Sequence, residues 1–286
     1  MSAALVIGAT GTTGSRVVAG LVAAGVRVRG ASRRGVAVQG AGMGADVEAV
    51  RFDWGDPGSY GGVLGGGVDR VYLVPPPGTA DPAAVMLPFL RRARAEGVRR
   101  AVLLSSSAIP SGGPAVGRVH AALPGIFDEW AVLRPSWFMQ NFTGDHLHAR
   151  TVRAEGVIRT AAGEGRVGFV DAEDIAAVAV RALVDERAPN ADLVITGPRA
   201  LSYGDVAAVL TEVTGRTVVH QRLTREEMAE RLAAEMPAAF AGMLADMDRA
   251  IAGGAEDRTT GTVERVTGRP PHDFRAVAER EAGGRG

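Results

Sequence analysis

A glycine-rich turn close to the start of the chain constrains the fold more than any other feature. A short apolar run at residues 5–7 leads into Gly8, Gly11 and Gly14, and a helical stretch over residues 15–25 follows. In such a strand–turn–helix unit the first glycine permits a tight turn, the second lets a pyrophosphate approach the backbone, and the third lets the helix pack against the sheet. The helix N-terminus then offers free N–H groups to phosphates. The turn predicts dinucleotide binding; the alternative is an ordinary tight turn in an unrelated α/β protein.

Short β-rich runs alternate with helical stretches as far as about residue 135, which predicts βαβ units and a parallel sheet. The predicted strands cover residues 5–7, 26–31, 47–52, 68–74, 101–104 and 130–133. Six such strands fit an α/β fold with a Rossmann-type doubly wound parallel sheet in the order 3-2-1-4-5-6. Residues 35–45 are too poorly patterned to distinguish a loop from a weak helix.

Beyond residue 135 helices dominate the pattern. Ser202 and Thr224 have the sequence of helix N-caps, the latter in a capping box. The chain from residue 253 is polar and glycine-rich apart from Phe274. Further helices are predicted over residues 171–185, 202–214, 224–234 and 236–252, and one more strand over 191–196. We therefore predict a dinucleotide-binding Rossmann domain over residues 1–152, whose core also receives residues 168–198, and a smaller, mostly helical substrate-binding region over residues 153–286.

Composition narrows the function classes. The 286 residues are 46% hydrophobic, which supports a full core, and the formal net charge of zero gives no electrostatic case for nucleic acid or an anionic membrane. There is no cysteine, and His146 and His148 are two residues apart, so they would point apart on a helix and make no metal signature. No charged leader and no long apolar run is present. We expect a soluble, cytoplasmic protein that acts on a small molecule, binds no metal, nucleic acid or membrane, and is a monomer or a homodimer.

All 32 basic residues are arginine, because the chain contains no lysine. A GC-rich genome is a sufficient explanation for this composition. The chemical consequence is independent of the cause: a lysine Schiff base, a Walker A lysine and a Tyr-x-x-x-Lys pair are all excluded.

The end of the second predicted strand indicates which dinucleotide is bound. Enzymes that prefer NAD usually place a carboxylate there for the ribose 2′-hydroxyl, whereas this chain has Ser32, Arg33 and Arg34. Arginine suits a 2′-phosphate because its fork makes bidentate, charge-assisted bonds. This predicts NADP(H) as the cofactor; the alternative is a solvated basic loop. Asp53, after the third strand, would accept from the adenine amino group, or would act only as a turn or helix-cap residue.

The carboxyl ends of parallel strands form the ligand-binding edge of a doubly wound sheet. The predicted cofactor-binding residues at this edge are Gly8, Thr10, Gly11, Thr12, Thr13, Gly14, Ser32, Arg33, Arg34, Asp53, Trp54, Val74, Pro75, Pro76, Ser105 and Pro135. The predicted substrate-binding residues are Ser106, Ser107, Trp137, Phe138, Asn141 and Phe142. The aromatic members would form flat apolar walls, with core packing as the alternative.

Five segments together resemble the NmrA-like branch of the atypical short-chain dehydrogenases/reductases. They lie at residues 8–14, 72–77, 133–142, 168–176 and 267–271. Within that branch the chain is similar to fungal ergot-alkaloid reductases, which deliver hydride to an iminium carbon, and to bacterial quinone reductases. The resemblance implies an NADPH site at Gly8–Gly14, Arg33, Asp53 and Pro75, and a substrate cleft between the sheet edge and the C-terminal helices.

The chain departs from the wider family at the acid that protonates the product. Typical members use a Tyr-x-x-x-Lys pair, and isoflavone-reductase-like relatives use a lysine in a segment that corresponds here to residues 117–121. His120 is the one residue in that segment able to exchange a proton near neutral pH. We therefore predict His120 as the proton donor; the alternative is a surface histidine without a role.

The missing dyad favours substrates that need no strong acid. An iminium accepts hydride and leaves a neutral amine, and a quinone or enone spreads its charge and can be protonated by water. The leading hypothesis is an NADPH-dependent reductase of a small, flat, partly apolar substrate (imine or iminium, quinone or enone), with specialised metabolism as its expected setting. Two alternatives are a non-catalytic NADP(H)-sensing regulator and an NADP-binding fold that catalyses a non-redox cyclisation or isomerisation.

Overall fold

A computed structural model describes residues 2–36, 46–79 and 81–283, so residues 37–45 of the segment predicted as loop or weak helix lie outside it. The strands are β1 Ala3–Ile7, β2 Arg27–Ser32, β3 Val47–Arg51, β4 Val68–Leu73, β5 Arg100–Leu104, β6 Glu129–Pro135, β7 Val157–Thr160, β8 Arg166–Val167, β9 Ala191–Ile195, β10 Leu201–Ser202 and β11 Val219–Arg222. The α-helices are α1 Gly14–Ala23, α2 Tyr60–Leu64, α3 Pro82–Ala95, α4 Gly117–Ala122, α5 Gln140–Thr143, α6 Leu147–Glu155, α7 Ala172–Val184, α8 Tyr203–Thr214, α9 Arg225–Ala233, α10 Ala238–Ala252, α11 Thr262–Thr267 and α12 Phe274–Gly283. Short 3₁₀-helices cover Pro57–Ser59 and Leu123–Gly125.

The chain forms two compact units, the first of which contains the large sheet. This unit comprises the chain as far as Arg134 together with Ala172–Val194. Its sheet has the order β3-β2-β1-β4-β5-β6-β9, and β1 to β6 pair in parallel. The predicted order 3-2-1-4-5-6 is thus confirmed, and β9 extends the sheet beyond β6. The assignment of residues 1–152 and 153–286 to cofactor and substrate stays a prediction.

Burial explains why these runs form a parallel sheet. All five residues of β1 are buried, as expected for a strand covered on both faces. Helix α1 buries Val17, Val18 and Leu21, which form its inner face. At the end of β3, Phe52 packs its ring against Trp54 and Phe89, with ring centroids 4.8 and 5.2 Å away. The carboxyl edge of the sheet is therefore supported by a rigid aromatic core.

An arginine at the start of β5 closes the end of α7. Arg100 is buried, and its Nη1 donates to the carbonyls of Leu183 (3.0 Å) and Asp185 (2.6 Å), while its Nε donates to Glu129 (2.6 Å). The last carbonyls of a helix lack partners within the helix, so a cation there satisfies them and complements the dipole. Arg100 thus joins α7 to the sheet.

Replacing Arg100 with methionine is expected to lower the free energy of unfolding by about 3 kcal/mol, because several charge-assisted hydrogen bonds are lost from a buried site. The neighbouring Arg99→Met is the control, since the Arg99 side chain is 67% exposed and its ion pair with Asp69 is 3.7 Å long. That change should alter stability by less than about 0.5 kcal/mol. Urea unfolding of both variants measures the difference, and equal losses would contradict this role for Arg100.

The second unit comprises Pro135–Asp171 and the chain from Ile195 onward. It contains two small sheets, in which β7 pairs in parallel with β11 and β8 pairs antiparallel with β10. Ser202 and Thr224 each form a capping box at the start of α8 and α9, which confirms both predicted N-caps.

The polar chain beyond residue 253 contains two helices. They are α11 and α12, and α12 buries Phe274, Val277 and Ala278. Three inward residues at helical spacing are enough to anchor an otherwise polar helix. Over residues 2–36, 46–79 and 81–283, no helix combines the length and apolarity needed to cross a membrane.

Candidate active site

The glycine turn has the geometry that its sequence predicts. Gly8 follows β1 with φ of +76°, a left-handed value that glycine adopts without strain. The Gly11 N–H donates to the Gly8 carbonyl (2.9 Å), and α1 begins at Gly14. A Cβ atom on Gly14 would lie 2.0 Å from the Gly8 oxygen, so a side chain has no room there. The turn brings the start of α1 directly against the end of β1.

A hydrogen bond from a buried tyrosine on β4 holds this turn in place. The Tyr72 hydroxyl on β4 donates to Thr13 Oγ1 (3.0 Å), and both side chains are buried. Burial raises the pKa of Tyr72 well above its usual value, so Tyr72 stays protonated and serves as a hydrogen-bond donor. Thr10, Gly11 and Thr12 are exposed above it. Of the predicted residues in the turn, Thr13 is therefore held by a buried hydrogen bond, whereas Thr10, Gly11 and Thr12 are exposed to solvent.

The end of β2 presents one orphaned hydroxyl and two exposed guanidinium groups. Ser32 is only 7% exposed, and within the described ranges its Oγ has no hydrogen-bond partner. Arg33 and Arg34 follow in an exposed turn. A buried hydroxyl is normally hydrogen-bonded, so Ser32 is suited to a polar ligand that approaches this turn.

The ends of β3 and β4 are joined to each other. Asp53 Oδ1 accepts from the Gly55 N–H (2.9 Å), so one oxygen of this carboxylate is used in a local turn. The Trp54 indole donates to the Val74 carbonyl (3.0 Å) and is buried in the aromatic core. Trp54 is therefore a support for Val74. Pro75 and Pro76 continue from Val74 as half-buried residues at the sheet edge.

The segment after β5 lies beside Arg134. Ser105 Oγ is buried and, in the part of the chain that the structure covers, has no hydrogen-bond partner. Ser106 Oγ accepts from the Ala108 N–H at 3.3 Å, and the Ser107 carbonyl accepts from Arg134 Nη2 at 2.9 Å. The Ser105 hydroxyl is thus buried and unbonded, whereas Arg134 holds the backbone two residues later.

His120 lies on α4 and is only 5% exposed, so the alternative of a surface histidine is wrong. Its Nδ1 is buried and has no hydrogen-bond partner among the described residues. Burial lowers the pKa of His120, the Arg134 charge lowers it further, and the Asp192 charge acts in the opposite direction. The ring is therefore kept mainly neutral near pH 7. Its predicted role as proton donor stays a prediction.

The predicted substrate residues in the second unit differ in exposure. Trp137, Phe138 and Asn141 are half-buried, and Pro135 is buried at the end of β6. Phe142 is buried, stacks on His148 with ring centroids 5.5 Å apart, and meets Phe169 edge-on. Phe142 is thus a core residue of this unit, while the half-buried residues retain surface for a ligand.

Sequence reasoning missed three residues that organise the first unit: Tyr72, Arg134 and Asp192. Tyr72 lies in a buried strand, and only its position within the resembling segment 72–77 could have drawn attention to it. Arg134 and Asp192 pair at 2.6 Å across 58 positions of the chain, which no local pattern indicates. Over the described ranges, no group of three or more His, Asp or Glu side chains is placed to hold a metal ion.

These features fit a dinucleotide phosphate. Gly8, Gly11 and Gly14 form a cradle whose exposed backbone leads into the N-terminus of α1, which Gly14 lets approach the end of β1. The neighbouring strand ends with an orphaned Ser32 hydroxyl, and two arginines follow it. An anion is favoured at the N-terminus of α1 and beside the guanidinium groups. The residues that would hold the pyrophosphate and a 2′-phosphate are therefore both present.

Comparisons with known proteins give consistent relatives. The chain is 43% identical to the uncharacterized oxidoreductase YesF of Bacillus subtilis over 279 residues, which cover 97% of this chain and 94% of the relative. It is 41% identical to festuclavine synthase II of Penicillium roqueforti over 235 residues, 81% of each chain. The structure of an NADPH-dependent quinone oxidoreductase from Escherichia coli, complexed with NADPH, matches 97% of this chain and 99% of that one with a TM-score of 0.80 and 22% identity, which shows a shared fold. No family model matches the chain.

Proposed function

The chain belongs to the NmrA-like family of atypical short-chain dehydrogenases/reductases and is an NAD(P)H-dependent oxidoreductase, and we propose that it uses NADPH to reduce a small, flat, partly apolar substrate. The observation that carries this proposal is the pairing of the glycine cradle with the Ser32-Arg33-Arg34 turn. Relatives named as an NAD(P)H azoreductase and as agroclavine dehydrogenases support a reductase.

Each part of NADPH has residues suited to hold it. The exposed backbone of Thr10, Gly11 and Thr12 and the N-terminus of α1 would bind the pyrophosphate. Ser32 Oγ, Arg33 and Arg34 would bind the 2′-phosphate, as the charge and the free hydroxyl suit its oxygens.

The remaining groups at the sheet edge suit the adenine and nicotinamide ends. Because the Gly55 N–H already occupies one oxygen of Asp53, the other is the one that would accept from the adenine amino group. Val74, Pro75, Pro76 and Ser105 follow β4 and β5, and we place them at the nicotinamide half of the site. Trp54 contributes through Val74, to which its indole is bound.

The protein side chains favour substrates that require little acid catalysis. Bound NADPH supplies a hydride; the chain itself has no lysine, and Tyr60, Tyr72 and Tyr203 are all buried. The lowered pKa of His120 leaves little imidazolium at neutral pH. An iminium or an imine that is protonated in solution, a quinone or an enone meets this limit, and the work of the protein is then to orient cofactor and substrate.

A sensing role is the second candidate, because a Tyr-x-x-x-Lys dyad is absent from the sequence. One experiment separates the two. The protein is titrated with NADPH and NADH and then assayed for NADPH oxidation with quinones, cyclic imines and enones. Binding followed by oxidation with one acceptor class supports the reductase. Tight NADPH binding without turnover on any class favours the sensor, and failure to bind NADPH overturns both.

Arg33→Ala is expected to weaken NADPH binding about 30-fold and to leave NADH binding within about twofold, because only the former carries a 2′-phosphate. Fluorescence titration with both cofactors measures this difference. Arg91→Ala is the matched control, since Arg91 is an exposed arginine on α3 and should leave both affinities unchanged. Equal losses for NADPH and NADH in Arg33→Ala would contradict the assignment of this turn.

A further inference from the structure

An ion pair between β6 and β9 also contacts the backbone that follows β5. Arg134 Nη1 donates to Asp192 Oδ2 (2.6 Å), and its Nη2 donates to the Ser107 carbonyl (2.9 Å). The Arg134 side chain is 17% exposed, so these bonds are partly shielded from water. One guanidinium therefore joins β6 to β9 and to the backbone that follows β5.

We propose that Arg134 and Asp192 are positioning residues: their ion pair fixes the backbone of the Ser105–Ser107 segment at the end of β5. The proposal deepens the proposed function and rests on it for the claim that this segment faces cofactor and substrate. The ion pair itself and its relation to His120 are independent of any substrate.

The positioning role follows from the hydrogen bonds. The Ser105 N–H donates to the Leu133 carbonyl (2.7 Å), while the buried Ser105 Oγ has no hydrogen-bond partner among the described residues. Arg134 holds the carbonyl two residues later, and Asp192 holds the guanidinium in place because a planar fork keeps two partners in fixed directions. A lysine would keep the charge but not this geometry.

The ion pair also has an electrostatic role, which follows from the charges around His120. Burial lowers the pKa of His120 most, the Asp192 carboxylate raises it, and the Arg134 guanidinium lowers it. Arg118, on the helix of His120, is paired with Asp81 (3.0 Å). Helix α3 packs on α4 and carries three arginines. Arg92 pairs with Glu96, Arg94 pairs with Asp128, and Arg91 is exposed. The ion pair thus supplies the charges that act on this imidazole.

Opposite changes in the pKa of His120 on removing each charge would distinguish this electrostatic effect from a purely structural role of the ion pair. In Asp192→Asn the carboxylate charge is lost while an acceptor for Arg134 remains, so the pKa of His120 should fall. In Arg134→Met the guanidinium is lost and Asp192 is left unneutralised, so the pKa of His120 should rise. Arg134→Lys keeps the charge and loses the fork, so the pKa should stay close to wild type.

Two measurements test the proposal on the full-length protein. NMR titration of the histidine ring protons, with His120 assigned from His120→Gln, gives the pKa directly and needs no substrate. NADPH oxidation with whichever acceptor is turned over gives kcat and KM, and Arg134→Lys should lower kcat about tenfold because the segment is less well held. Arg118 is an exposed arginine on the same helix as His120, so Arg118→Met should change neither the pKa of His120 nor kcat.

The outcomes are separable from those of the proposed function. If Asp192→Asn and Arg134→Met move the pKa of His120 in the same direction, or leave it unmoved, the electrostatic role is overturned. If Arg134→Lys turns over like wild type, the positioning role is overturned. If none of the tested acceptors supports NADPH oxidation, the proposed function fails. The NMR titration still decides whether the ion pair changes the pKa of His120.

Discussion

A Gly14→Ala protein is expected to lose its cooperative unfolding transition, whereas a Gly11→Ala protein is expected to fold and to bind NADPH poorly. The Cβ atom at Gly14 would lie 2.0 Å from the Gly8 oxygen, 2.7 Å from its carbonyl carbon and 3.1 Å from the Ala9 Cα. All three are backbone atoms at the end of the central strand, so α1 itself would have to move. Such a displacement should lower the free energy of unfolding by roughly 4 kcal/mol or more.

Gly11 makes the matched comparison. Its added Cβ would contact only the Gly8 oxygen, at 3.2 Å, and the residue is exposed. We expect a stability loss within about 1 kcal/mol, but at least a tenfold loss in NADPH affinity, because the methyl group occupies the side from which a pyrophosphate approaches. Urea unfolding and NADPH titration of both variants test this pair. A Gly14→Ala protein as stable as wild type would contradict the close approach of α1 to β1.

The parallel sheet could be predicted because its determinants are local. Each of β1 to β6 is a short apolar run followed by a turn or a helix, and right-handed crossovers leave few possible strand orders. The capping boxes at Ser202 and Thr224 were predictable for the same reason, since every partner lies within three residues.

Predictions were weaker where burial depends on distant partners. Trp54 and Phe142 have the same sequence signal as ligand-contacting aromatics, but Trp54 packs against Phe52, and Phe142 stacks on His148. The burial of His120 could not be predicted from its neighbours in the sequence. The three inward residues of α12 likewise pack in a core that other elements of its unit complete. Tertiary packing decides these cases, and local propensity is a weak guide to it.

His148 is expected to make the protein sensitive to acid. Burial, reinforced by the charges of His146, His220 and Arg231, lowers the pKa of His148 to about 3 in the folded state, against 6.5 for an unperturbed histidine. The folded protein therefore binds fewer protons than the unfolded chain between these pH values. Above pH 6.5 the histidine is neutral in both states and does not lower the free energy of unfolding. As the pH falls from 6.5 towards 3, its protonation in the unfolded chain lowers the free energy of unfolding by roughly 5 kcal/mol in total, of which about 3 kcal/mol is lost by pH 4.

Asp248 acts with the opposite sign, so wild-type stability alone does not isolate this effect. Burial raises the pKa of Asp248 to about 6, against 3.8 for a free aspartate, although the Ala161 N–H donates to it at 2.9 Å. The folded state therefore binds more protons than the unfolded chain between pH 3.8 and 6. Its contribution to stability grows as the pH falls through 6, and it partly offsets the loss from His148.

The comparison that isolates His148 is a His148→Phe variant measured at pH 7 and pH 4. Phenylalanine keeps an aromatic ring to stack on Phe142, with no group to protonate. We expect stability within about 1 kcal/mol of wild type at pH 7 and an advantage of about 3 kcal/mol at pH 4, from urea unfolding at both pH values. His146→Asn is the control, because His146 is exposed and caps α6, where asparagine also serves as an N-cap. It should retain most of the acid sensitivity, since the burial of His148 is unchanged. If His148→Phe loses stability between pH 7 and pH 4 as steeply as wild type does, the protonation of His148 is not what destabilises the folded state in acid.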